Sequence, residues 1–148
     1  MAVHNRHNAR IAALQALYEF DSSRHEALEA LERTAARDRL SPSAAAFARD
    51  LIEGVLSQQD EIDRIIGEAA PAWPVGQLAA VDRNILRLAI QEMLGDNGAP
   101  VRVVINEAVE LAKKFGSESS YRFVNGVLGS IEQQRHDTQE TQPVVERG

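Results

Sequence analysis

The sequence predicts an all-α fold: a single globular domain of about seven helices in two packed helical sub-bundles. Three observations carry that prediction. Apolar residues recur at helical spacing from near Asn5 to about Gln133. Caps, prolines and glycines cut this span into helix-sized pieces. No segment alternates apolar and polar residues as a half-buried strand would, and no repeat of solenoid period is present.

Each element has its own signal. Ile11, Leu14, Leu17 and Tyr18 give a first helix from Asn5 to Phe20. Ser23 with Glu26 makes a capping-box pattern that opens a second helix to about Arg39, burying Leu28, Leu31 and Ala35. Ser41-Pro42 pairs a hydroxyl cap with a proline at the first helical position, and starts a third helix. That helix is expected to bury Phe47, Leu51, Ile52, Val55 and Leu56. Ser57 followed by Asp60 reads as a re-cap for a fourth helix carrying Ile62, Ile65, Ile66 and Ala69.

The Pro71-Ala72-Trp73-Pro74 loop is expected to divide two halves of one core. Val81, Ile85, Leu88, Ala89 and Met93 form the apolar face of a fifth helix, which stops at the Gly95–Gly98 turn cluster. The sixth buries Val104, Ile105, Ala108, Leu111 and Ala112, with Gly116 as C-cap. Ser117 or Ser119 caps the seventh, striped by Val124, Val127, Leu128 and Ile131. Asn106, Asn125 and Gly126 are poor mid-helix residues. Their place within periodic segments suggests local constraints, with Gly126 admitting a close helix contact. Residues 1–133 therefore form the domain, and 134–148 are expected to be a disordered polar tail.

Composition restricts function. The chain has 148 residues, enough for one domain with a real core, and a net charge of −6. Such an acidic chain is not a general polyanion binder, so any nucleic-acid contact must be local. There is no cysteine, which excludes disulfides, thiolate zinc sites and cysteine nucleophiles. No apolar run reaches membrane-spanning length and no secretory h-region is present, so a soluble cytoplasmic protein is expected. Glycine-rich phosphate loops and nucleophile elbows are absent. His4-x-x-His7 has no third ligand nearby, and Glu107 with Glu110 has no histidine companion for a di-iron bundle. A non-enzymatic protein without metal or cofactor is expected.

Residues 1–18 contain Arg6 and Arg10 and no acid, a local charge of +2, leaving −8 for the remainder. The two arginines are one helical turn apart near a helix N-terminus, where free N–H groups favour anions. This arrangement is either a phosphate site supplemented by His4 and His7, or a solvated first turn. Tyr18 is either a stacking platform for an unpaired base or a core residue continuing the Ile11–Leu14 stripe. Asp82 suits a helix dipole or a contact surface. Lys113-Lys114 suit a helix C-terminus. Arg87 is a candidate for pairing with an acid inside the fold.

The run Val81–Ile90 (VDRNILRLAI), the run Val104–Leu128 (VINEAVELAKKFGSESSYRFVNGVL) and Gln15-Ala16-Leu17-Tyr18 together resemble the NusB family of transcription antitermination factors. The resemblance spans about residues 5–133. It implies an RNA-binding adaptor that pairs with the ribosomal small-subunit protein NusE, binds the single-stranded boxA element of nascent ribosomal transcripts, and helps load the antitermination complex on RNA polymerase. It places RNA contacts at His4, Arg6, His7, Arg10, Tyr18 and Asp82. It places a partner surface at Asp82, Ser119, Arg122 and Phe123. The basic segment is poorer in arginine than many relatives. Glu118-Ser119-Ser120 stands where relatives often have Glu-Asp-Ser, which removes a negative charge near the partner surface. On this reading, changing Arg6 and Arg10 together to alanine should weaken RNA binding and leave folding intact. The alternatives are a protein–protein scaffold, such as a homodimeric adaptor, and an accessory domain for an RNA methyltransferase.

Overall fold

The computed structural model describes residues 5–20, 24–95 and 97–141, with side-chain surroundings for 6–19, 25–95 and 97–135. Seven helices follow one another among these residues: α1 (Asn5–Phe20), α2 (Arg24–Arg37), α3 (Pro42–Ser57), α4 (Gln59–Ala69), α5 (Ala80–Leu94), α6 (Val101–Phe115) and α7 (Ser120–Thr141). One 3₁₀ turn, Val75–Gln77, sits between α4 and α5.

The caps explain the boundaries. Ser41 Oγ accepts the Ala44 N–H at 3.1 Å, and Pro42 fills the first turn. The Ser23 cap lies outside the described residues. α2 ends at Arg37, two residues before its expected end, and closes through Arg39 in the left-handed region at φ 57°. The Leu40 N–H then reaches back to the Ala35 carbonyl at 3.0 Å. Ser57 does not re-cap α4. Its hydroxyl donates back to the Gly54 carbonyl at 3.3 Å, and Gln58 alone joins α3 to α4. Gly116 is the C-cap of α6 but is extended rather than left-handed, at φ −92°. In the serine run that follows, Ser120 Oγ accepts the Ser117 N–H at 2.9 Å and is buried.

One continuous core runs through all seven helices. α1 packs on α2 and α3, while α6 packs on α7. α5 lies between, touching α1, α3, α4, α6 and α7. α4 sides with α5 and α7, so the two halves divide at Gln58 rather than at the Pro-Trp-Pro loop. α5 is also more than an amphipathic helix: every residue from Asn84 to Ile90 is buried. The two polar residues within that run are partnered. Asn84 Nδ2 donates to the Ala80 carbonyl at 3.0 Å, and Arg87 forks onto Asp63 at 2.8 and 2.9 Å.

Gly126 is exposed, and a Cβ built there meets nothing within 4 Å. The expected close helix contact is absent. α7 continues to Thr141, beyond the boundary expected at 133, and residues 142–148 lie outside the described residues. Ile131 is the last buried hydrophobic of the described chain. Gln, Glu and Arg are adequate helix formers, so the helix outlasts its apolar stripe.

Candidate nucleic-acid and partner surface

The start of α1 meets the α5–α6 connection and the first turns of α6 across a cleft of about 450 Å³. Arg6, His7 and Arg10 form one wall, and Pro100, Val103 and Glu107 contribute to the other. α6 begins here without a side-chain cap. Uncapped N–H groups and the positive end of the helix dipole favour an anion at this point.

The two arginines behave differently. Arg6 is exposed and lies over the Phe47 ring at 4.7 Å, which holds the guanidinium at the cleft without neutralising it. Arg10 is 5% exposed. Its Nε and Nη2 both donate to Glu92 at 2.7 Å, and Nη1 lies 3.9 Å from Glu107. The expected pair of free cations is therefore, among the described residues, one arginine with no ion-pair partner and one buried ion pair. The buried pair also argues against changing both to alanine without disturbing the fold. Removing Arg10 would leave Glu92 charged and uncompensated inside the protein. His7 Nδ1 contacts Glu107 Oε2 at 2.8 Å, so it too faces an acid. His4 lies outside the described residues.

Tyr18 is 54% exposed, which favours the platform reading over the core reading. It stands about 18 Å along α1 from Arg6 at 1.5 Å per residue. His7, Ile11 and Tyr18 fall on one side of the helix, because their spacings of four and seven residues approximate whole turns.

Asp82 opens α5, half-buried, and its Oδ1 is shielded from solvent with no hydrogen-bond partner among the described residues. Ser119 and Arg122 are exposed at the start of α7, while Phe123 is half-buried against the core. Arg122 Nε lies 3.0 Å from the Tyr121 hydroxyl. Arg122 and Lys113 approach the Tyr121 ring at 5.6 and 5.5 Å. Sequence reasoning missed Tyr121 as the centre of this cationic cluster. The signal was available, since Lys113 closes α6 and the short Gly-Ser turn folds α7 back beside it. Among the described residues no hydrogen bond or ion pair joins the α1 cluster to Ser119, Arg122 or Phe123.

The sequence matches the NusB family over residues 7–133. The chain belongs to the NusB family. It is 50% identical over 128 residues to the transcription antitermination protein NusB of Chloroflexus aggregans, covering 85% of each chain. In structure it is similar to NusB of T. maritima, with a TM-score of 0.80 and 33% identity over 90% of this chain and 96% of that one. It is also similar to a chain in a solved complex of antitermination factors NusB and NusE with double-stranded RNA. There the TM-score is 0.78, with 28% identity over 89% of this chain and 98% of that one. The NusB match takes in His7, Arg10, Tyr18, Asp82, Ser119, Arg122 and Phe123, and begins just after Arg6. Among the described residues no group of three His, Asp or Glu could hold a metal ion, and no helix is long and apolar enough to cross a membrane.

Proposed function

We propose that this NusB-family protein is a transcription antitermination factor that acts by binding, with no chemical step. It binds boxA-type RNA together with NusE and so contributes to the antitermination complex on RNA polymerase. The observation that carries this reading is the similarity, along almost the whole fold, to a chain in a solved complex of NusB and NusE with double-stranded RNA. Two features of this chain support a division of the task. Arg6 at the α1–α6 cleft meets a phosphate. Tyr18 offers an exposed ring on which an unpaired base can stack, which a base inside a duplex cannot do. Single-stranded RNA is therefore the ligand this surface suits. Asp82 and the Ser119–Phe123 turn supply the protein-facing contacts.

The test is an anisotropy titration with boxA-like and scrambled single strands, with and without NusE. The boxA-like strand should bind more tightly, and NusE should strengthen it. Arg6→Ala should flatten the log–log salt dependence by about 0.7 for one lost single-strand phosphate. Tyr18→Ala should lower affinity by about 1–3 kcal/mol with little change in slope. Equal affinity for both strands, untouched by either substitution, would leave a protein–protein scaffold as the better reading.

A further inference from the structure

Arg10 is basic, lies in the first helix and lines the cleft, yet its Nε and Nη2 donors are turned inward. Glu92 receives Nε and Nη2, and the Phe47 ring lies 5.4 Å from the guanidinium carbon. Glu92 has a third donor. Asn97 Nδ2 reaches its Oε1 at 2.9 Å, and Asn97 Oδ1 in turn accepts the Ala99 N–H at 3.0 Å. The chain Arg10–Glu92–Asn97–Ala99 thus runs from α1 through α5 into the connection that leads to Pro100 and α6. Gly98, Ala99 and Pro100 are themselves cleft wall. We infer that Arg10 is a positioning residue: with Glu92 and Asn97 it forms a buried latch that fixes the α5–α6 connection, and so the wall opposite Arg6, for an RNA phosphate. This inference rests on the antitermination reading above and goes beyond it, because it divides the basic turn into one contact and one brace.

The physical reason is pre-organisation. A short connection containing Gly98 at φ 81° has conformational freedom that binding would otherwise have to remove. A carboxylate held by three N–H donors in a buried site fixes the connection in advance.

Two variants separate brace from contact, with Arg6→Ala as reference. Asn97→Ala changes no charge and cuts only the far end of the latch. The double variant Arg10→Leu/Glu92→Leu removes both buried charges together, which disturbs the fold less than stranding one of them. Two quantities are read in each: the hydrogen-exchange rate of the Ala99 amide, and RNA affinity across a salt series. Both variants should exchange Ala99 at least tenfold faster and bind RNA roughly three- to tenfold more weakly, with the salt slope of the parent. A slope reduced by about 0.7 in the double variant would make Arg10 a direct phosphate contact and overturn the inference. Unchanged Ala99 exchange would overturn the latch. Faster exchange with undiminished affinity would overturn its role in binding. Should the parent bind no RNA, the antitermination reading fails, and the exchange measurement still decides whether the latch exists.

Discussion

The buried Arg10–Glu92 pair and the exposed fork on α4 have nearly the same geometry and opposite weight. On α4, Arg64 donates Nε to Glu61 at 3.0 Å and Nη1 to Glu68 at 2.6 Å, distances as good as those at Glu92. Side-chain exposure separates them: 53% for Arg64, against 6% for Arg10 and 2% for Glu92. At the surface, water screens the attraction and two long side chains lose freedom to keep one arrangement. In the interior the same charges interact through a poorer dielectric, and losing one strands the other. Bond length therefore says little about which ion pairs hold this fold together; position says most of it.

The sharpest way to break the comparison is to strand Arg10. Glu92→Ala should destabilise the protein by about 3–5 kcal/mol in chemical denaturation. The Arg87–Asp63 pair lies between the extremes, because Asp63 is 26% exposed while Arg87 is 6% exposed. Asp63→Ala should lose about 1.5–3 kcal/mol, the range for hydrogen bonds to charged groups. If Glu92→Ala falls within about 0.5 kcal/mol of the parent, as ordinary surface changes do, burial is not the deciding variable.

The sequence was most legible where a local rule sufficed. Ser41-Pro42 fixed a helix start, and apolar spacing located all seven helices. The family motifs pointed to the right fold, and the internal pairing of Arg87 was anticipated. It was least legible where partners come from afar. Arg10 meets Glu92 across 82 positions of chain, so its charge looked available when it was not. Tyr18 continues an apolar stripe on α1, and only the packing of the other helices shows that its side is left open. α5 was underestimated for the same reason: amphipathic spacing marks one apolar face, but five neighbouring helices bury the polar side as well.

Two glycines give the same lesson with opposite signs. At Gly116 a Cβ would lie 2.5 Å from the Ser120 Cβ and Oγ and 2.8 Å from the Ala112 carbonyl oxygen. The backbone cannot yield as a side-chain end can, so Gly116→Ala should cost about 1–3 kcal/mol through overpacking. Gly126 stands in open space inside α7, and Gly126→Ala should stabilise the protein by about 0.4–1 kcal/mol by restricting the unfolded chain. Thermal melts of the two variants should move in opposite directions. A downward shift for Gly126→Ala would return that residue to a close contact.

The smallest effect is expected on α4, and pH and salt are the means to see it. The Arg64 hydrogen bond, reinforced by its charge, holds the Glu61 carboxyl below its ordinary value of 4.5. A carboxyl depressed in the folded state stabilises the fold above its unfolded value and loses that contribution as pH falls through the folded one. Any contribution from the fork is therefore complete at neutral pH and disappears on the acid side of 4.5. Both partners are solvated, so Arg64→Ala should melt close to the parent at neutral pH. The remaining difference should vanish in about 1 M salt, where the screening length is about 3 Å. Glu92→Ala should keep its deficit in the same salt, because buried pairs are screened much less. A deficit for Arg64→Ala that matched Glu92→Ala and survived high salt would mean that the exposed fork supports the fold as strongly as the buried pair.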